Sequence, residues 1–241
     1  MNYKVHMSYD GSQFYGFQRQ VEERTIQAEL EKVLSLIFKE EVTIHGSGRT
    51  DAGVHAHDQV FSFSSPIVIS EEKLSYALNR LTPRDILIKE VHHVSEDFHA
   101  RFSAKGKSYL YKLSKEDDLF KRNYRWYIKE ELDVLAMRKA ASFLIGEHDF
   151  FSFSNRRKEE KSTFRTIEEI EIREVGEEIH LYFKGNGFLY KMVRILTMYL
   201  LQVGLGRIHP EKTETILNSH SRAYTREVAP PEGLYLWEVY Y

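Results

Sequence analysis

Over the first hundred residues the apolar pattern switches between a two-residue and a helical repeat. The order is strand, helix, strand, strand, helix, strand, and few chain paths accommodate it. Tyr3 to Asp10 alternates as a strand. Thr25 caps a helix in which Ile26, Leu30, Val33, Leu34, Ile37 and Phe38 follow helical spacing. Strands at 42–46 and 58–64 follow. Ser70 caps a second helix with Leu74, Ala77, Leu78 and Leu81 on one face, stopped before Pro83, and Ile86 to Val94 reads as a strand. This is the β-α-β-β-α-β order of a ferredoxin-like (RRM-like) lobe, an antiparallel sheet with both helices on one face.

The second half predicts a lobe of similar α+β build. Ser108 to Ser114 is a strand with Tyr109 and Tyr111 on one face, and Asp133 caps a helix that ends near Gly146. Thr166 to Glu174 and Ile179 to Lys184 form a hairpin around Gly176. Phe188 to Val203 is a strongly apolar helix closed by Gly204 and Gly206. Pro210 opens a short helix, and Leu234 to Tyr241 is a last strand. No Pro- or Ser-rich linker separates the halves. The expected domains are therefore 1–104 and 105–241, with the two antiparallel sheets joining into one central sheet and helices packed on it.

The connection between the strands at 42–46 and 58–64 carries the most chemistry. It reads Gly46-Ser47-Gly48-Arg49-Thr50-Asp51-Ala52-Gly53-Val54-His55. A plain hairpin needs two to five residues, so about a dozen polar, Gly-rich positions require another explanation. Glycine is used where the chain takes φ > 0 or where another backbone comes close. Such a loop can hold a carboxylate and an arginine side by side at a surface, although an Asp here also suits a turn role, bonding nearby backbone N–H groups. Asp51, His55, His57 and Asp58 match no strong metal-ligand spacing, and no metal is expected.

Arg194 sits in Phe188-Leu189-Tyr190-Lys191-Met192-Val193-Arg194-Ile195-Leu196, apolar on all sides and so read as buried. A buried guanidinium needs a carboxylate partner. It either reaches the surface or a structural Glu, or pairs with a functional carboxylate, for which Asp51 is the best candidate. That pair would keep Asp51 ionised and nucleophilic.

Net charge is −2, but the distribution is uneven. From Arg101 to Arg125 there are eight Lys or Arg against three acids, and Arg156, Arg157, Lys158, Lys161 and Arg165 form a second basic cluster. The segment from Asp97 to Tyr111 interleaves aromatics with cations, a composition that suits RNA and equally a half-buried strand. There is no cysteine, which excludes disulfides, zinc thiolates and a Cys nucleophile. No run approaches the ~20 apolar residues of a membrane span, and no signal peptide opens the chain. The expected setting is cytoplasmic, with no membrane.

The loop 46–55 resembles the signature of the TruA-type tRNA pseudouridine synthases. Tyr9-Asp10-Gly11-Ser12-Gln13-Phe14-Tyr15-Gly16-Phe17-Gln18-Arg19-Gln20 resembles that family's amino-terminal loop, with Phe17 where the family often has Trp. Asp97-Phe98-His99-Ala100-Arg101-Phe102, with Tyr109 and Tyr111, resembles its central block. Asn186 to Arg194 and Glu232-Gly233-Leu234-Tyr235-Leu236 resemble its closing motifs. The resemblance implies isomerisation of uridine to pseudouridine in the anticodon stem-loop of tRNA, at positions 38, 39 and 40, by a homodimer without cofactor or metal. It implies Asp51 as the catalytic carboxylate, Tyr109 stacked on the target base, and Arg194 as the cation paired with Asp51. Arg49 would take the place of the flipped uridine or contact phosphate. Lys105, Lys107 and Arg101 would hold phosphate, and His57 and Gln18 would join the substrate contacts. The competing readings are a non-catalytic RNA-binding module and a carboxylate-dependent hydrolase of nucleosides or glycosides. The hydrolase would want a second acid beside Asp51, where the loop supplies an arginine.

Overall fold

The alternation at the start of the chain forms β1 (Asn2–Tyr9) in a computed structural model that describes residues 1–155 and 162–241. Tyr3, Val5 and Met7 point to one face and are fully buried. Thr25 then starts α1 (Ile26–Phe38), its Oγ1 accepting the Ala28 N–H at 3.4 Å. A two-residue β2 (His45–Gly46) leads into the glycine-rich loop, which ends in β3 (His55–Ser64). α2 (Glu71–Leu81) and β4 (Ile86–Val94) follow. β1 lies between β3 and β4, antiparallel to both, with Val5 opposite Phe61 on one side and Val91 on the other. Tyr3 stacks on Phe63 at 4.8 Å, and Phe38 of α1 meets Phe63 edge-on. Each such buried ring contributes about 2–3 kcal/mol of apolar burial.

The strand expected at 42–46 is shorter than its sequence suggests. Val42 and Ile44 are buried, yet their N–H groups bond to α1 side chains and not to a neighbouring strand: Val42 to Ser35 Oγ (3.2 Å) and Ile44 to Glu31 (3.1 Å). Ser70 occupies the cap position of α2 without a side-chain cap bond. Leu81, assigned to that helix's apolar face, is exposed.

The next elements are β5 (Gly106–Ser114), β6 (Trp126–Tyr127), α3 (Val134–Ser142) and β7 (Gly146–Asp149). After them come β8 (Phe164–Val175), β9 (Glu178–Gly185), α4 (Met192–Gly204) and α5 (Lys212–Leu217). β9 is antiparallel to both β5 and β8, and β8 is antiparallel to β7. β6 and β7 have no period of their own in so few residues. Leu135, read as apolar face, is 73% exposed; the buried side of α3 is Val134, Met137, Ala140 and Ala141. α4 begins four residues later than the apolar run, because Lys191 takes a left-handed conformation (φ 59°) before the first helical residue. Of the second basic cluster, Arg156, Arg157, Lys158 and Lys161 lie outside the described residues.

The last strand, β10 (Leu234–Tyr240), runs parallel to β3, with Tyr235 opposite His55 and Leu236 opposite Ala56. The sheet holding β3 is therefore mixed and not purely antiparallel: a strand from the far end of the chain arrives pointing the same way. The α+β class follows the patterning, with ten strands and five α-helices among the described residues. By contact density the chain divides into two units, Met1–Lys105 with Tyr235–Tyr241, and Gly106–Leu234.

Candidate active site

The loop carrying Asp51 is held at many points. Ser47 N–H donates to Val60 O at 2.7 Å, and Ser47 Oγ donates to Gln59 Oε1 at 2.6 Å. Gln59, fully buried, returns its Nε2 to Gly48 O at 3.1 Å. On the other side, residues 11–17 clasp the loop. Phe17 N–H donates to Thr50 O (3.1 Å), and Gly53 N–H donates to Phe14 O (3.2 Å). Gly11 N–H donates to Nδ1 of the buried His55 at 3.0 Å. The clasp is itself pinned: Arg24 makes a bidentate pair with Asp85 (2.7 and 3.0 Å), with its guanidinium 4.0 Å from the Phe14 ring centre.

Two glycines are explained by these approaches. A Cβ on Gly11 would lie 1.9 Å from Val54 O, and one on Gly46 would lie 2.5 Å from the Phe17 ring. Each glycine lets the amino-terminal loop and the loop at 46–55 come into close contact, one from each side. The backbone turns tightly after Asp51, whose C=O accepts the Val54 N–H at 3.2 Å. The Asp51 side chain is half-buried and Arg49 exposed, with the buried Thr50 between them.

Thr50 is fixed by Tyr9, whose hydroxyl lies 2.7 Å from Thr50 Oγ1 in a buried contact. Burial pushes the Tyr9 phenol up to about 12, partly offset by the bonds to Thr50 and Gln59. A phenol raised on folding stabilises the fold fully below its unfolded value of about 10, and that stability is lost as pH rises toward the folded value. The unfolding free energy from urea titrations should therefore fall between about pH 10 and 12, by up to ~1.4 kcal/mol per pH unit from this phenol. Tyr9→Phe should lose about 1 kcal/mol at neutral pH and show a shallower alkaline decline. An unchanged alkaline slope in Tyr9→Phe would assign the effect to other groups.

The other predicted residues of this unit are at the surface. Gln18, Arg101 and Lys105 are exposed. His57 is exposed and stacks on Trp237 of β10 at 4.2 Å, with 17° between the planes. His55 stacks on Tyr235 at 4.7 Å, and Asp58 pairs with His6 Nδ1 at 3.1 Å. Trp237 was not singled out in the sequence. Its signal is the pairing of a terminal strand with β3, which no local pattern reveals. Among the described residues no group of three or more His, Cys, Asp or Glu is placed to hold a metal ion.

The second unit carries Lys107, Tyr109 and Arg194. Lys107 and Tyr109 are half-buried on β5, and the Tyr109 ring meets Phe188 edge-on at 5.2 Å. Tyr111, two residues on, is fully buried and donates its hydroxyl to Pro230 O at 2.8 Å. Arg194 is half-buried, not enclosed as its apolar neighbours suggest. Its Nε donates to Ala229 O at 2.7 Å, and Ala229 N–H returns a bond to Arg194 O at 3.2 Å. The reason is position: Arg194 lies in the first turn of α4, at the helix end where the chain from 229 to 233 passes. Burial holds the Tyr111 phenol well above its usual value. The Glu232 charge adds to the rise, and the Arg194 charge opposes it, so both charges lie near that ring. No side chain caps α4 and no acid lies in its first turn. Lys191 and Arg194 add positive charge to the positive end of the helix dipole, and the result is a pole that favours an anion.

The sequence profile of a family described as tRNA pseudouridine synthase matches residues 6–103 and 140–241. The chain belongs to the tRNA pseudouridine synthase family. It is 48% identical over 244 aligned residues to tRNA pseudouridine synthase A of Listeria monocytogenes, covering 99% of this chain and 98% of the relative. It is 44% identical to tRNA pseudouridine synthase A 1 of Bacillus cereus (99% and 98% covered) and 43% identical to tRNA pseudouridine synthase A of Bacillus subtilis (100% and 99%). The two profile segments hold Asp51, Arg49, Gln18, His57, Arg101 and Arg194. Lys105, Lys107 and Tyr109 fall in the stretch between them. No described helix is long and apolar enough to cross a membrane.

Proposed function

We propose that the chain isomerises uridine to pseudouridine in the anticodon stem-loop of tRNA, at positions 38, 39 and 40, with Asp51 as the catalytic carboxylate. The supporting observation is a half-buried aspartate on a loop fixed from both sides by backbone bonds, in a chain of the tRNA pseudouridine synthase family. A group held this rigidly can meet a reacting atom without reorganising. The N1–C1′ bond breaks, the base turns, and a C5–C1′ bond forms. The C5 proton is lost and N1 gains one, so no outside reagent is consumed. Asp51 serves either route: attack on C1′ as a nucleophile, as in retaining glycosidases, or assistance to a glycal intermediate.

Tyr109 is assigned to stack on the target base, and Arg194 to keep the Asp51 carboxylate ionised. Arg49 is assigned to fill the place the flipped uridine leaves, since the bond to be broken is not open to attack inside a stacked helix. Lys105, Lys107 and Arg101 are assigned to phosphate, and Gln18 and His57 to further substrate contacts. A cytoplasmic homodimer completes the reading. Its support is the exposed apolar area, which includes Tyr76, Phe120 and Leu135; sedimentation should give the mass of two chains.

The direct test is incubation of the purified protein with an unmodified tRNA transcript in buffer containing EDTA, then mapping of pseudouridine. Conversion confined to positions 38–40 is expected. Conversion elsewhere, or none, sinks the assignment of substrate position.

A further inference from the structure

Beside the loop that carries Asp51, three aromatic rings lie in a row at the surface, the first pair stacked and the second tilted. The His45 and His99 rings lie 4.9 Å apart with 28° between planes, and His99 and Phe102 lie 4.4 Å apart with 37°. Arg101 places its guanidinium 5.8 Å from the Phe102 ring centre. Phe102 is 78% exposed, although the turn that carries it is tightly built. Ala100 N–H donates to Ser62 Oγ of β3 at 3.0 Å, and Tyr241 donates its hydroxyl to Ala100 O at 2.7 Å. His99 and Ser103 exchange bonds through the His99 N–H (3.1 Å) and the Ser103 N–H (2.9 Å). In the β2–β3 ladder, His45 is opposite Ser62, so the same strand position anchors both ends of the stack.

An exposed Phe on a flexible turn would fold back or wander. Here the backbone fixes it outward at the cost of leaving apolar area in water, which asks for a ligand with a flat apolar face. The central ring is suited to this. His99 Nδ1 accepts the Arg101 N–H at 3.1 Å, and burial, then the nearby His45 and Arg101 charges, hold its pKa below the ordinary imidazole value. The imidazole is therefore neutral near pH 7 and continues the stack as an uncharged ring. Cations stand nearby: Arg101 against Phe102, and Lys4 over the neighbouring Tyr241 and Phe98 rings (5.4 and 5.9 Å). Aromatic faces with cations beside them take an unpaired nucleobase and its phosphate.

We propose that His45, His99 and Phe102 form a base-stacking platform for an unpaired nucleotide of the tRNA, distinct from the uridine being isomerised, with Arg101 on its phosphate. The proposal rests on the reading above that the substrate is RNA. His45 immediately precedes the loop that carries Asp51, so a nucleotide seated here fixes the substrate next to that loop without entering the chemistry.

The test is binding of unmodified tRNA transcript over a range of salt concentrations. Phe102→Ala should weaken binding about tenfold, with an unchanged slope against salt, because no ionic contact is lost. Phe102→Trp should restore binding. Arg101→Gln should weaken binding and lower the salt slope by about one. Phe102→Ala bound within twofold of a wild type that does form pseudouridine overturns the platform alone. A wild type that binds through Phe102 yet forms no pseudouridine overturns the functional reading and leaves the platform standing. A wild type that binds no tRNA overturns both.

Discussion

Asp51→Asn will lower pseudouridine formation by roughly 10⁴-fold or more while leaving tRNA affinity within about threefold of the wild type, since phosphate contacts elsewhere supply most of the binding. The side chains are nearly isosteric, so the loop stays where Ser47, Gln59, Phe14 and Phe17 hold it. The change replaces a negative carboxylate with a neutral amide of nearly the same shape. Single-turnover kinetics with filter binding on the same samples separates chemistry from affinity. Activity within tenfold of the wild type would show that Asp51 is a turn residue and that another group does the chemistry. A loss of both activity and binding, with a lowered unfolding midpoint, would mean that the loop had moved.

The second large effect is expected at Arg194. Arg194→Leu removes a cation from the positive end of α4 and leaves Ala229 O without its Nε donor. The lost bond should cost about 1–3 kcal/mol of stability, because a partly buried carbonyl is left unpaired. If Arg194 acts as the cation paired with Asp51 in the reaction, turnover should fall by about 10²–10³-fold. Arg194→Lys separates the two roles: the charge is kept, and the bond made by Nε is altered. Lys rescuing turnover but not stability fits the assignment. Turnover of Arg194→Leu within about threefold of the wild type would reduce Arg194 to a structural anchor of the segment at 229.

Periodicity sufficed for most elements, because β1, α1, α2, β4, β8, β9 and α4 each repeat long enough to show which face they bury. It failed where structure is set by a distant partner. Val42 and Ile44 carry a strand-like pattern, but Glu31 and Ser35 of α1 take their N–H groups. β6 and β7 are too short to have a period, and nothing near Leu234 announces parallel pairing with β3. The loop at 46–55 stands out from composition as an overlong polar connection rich in glycine, and the same composition also suits a turn role for its Asp. What holds the loop is not legible in composition. The Tyr9–Thr50 contact and the bond from Gly11 to His55 join residues some forty positions apart. The apolar run around Arg194 suggested full burial; only the late start of α4 shows the guanidinium lying at a helix end, half in solvent.

The parallel pairing of β10 with β3 sets an order on the making of the molecule. The strand that leaves the loop at 46–55 receives its partner from residues 235–241, and these are synthesised after all of Gly106–Leu234. At ribosomal rates the first unit waits on the order of ten seconds for its final strand. During that time the β3 edge beside His55 and Ala56 is open to pairing with other nascent chains. The loop at 46–55 is thus among the earliest segments made, while the strand that leaves it is among the last to be paired.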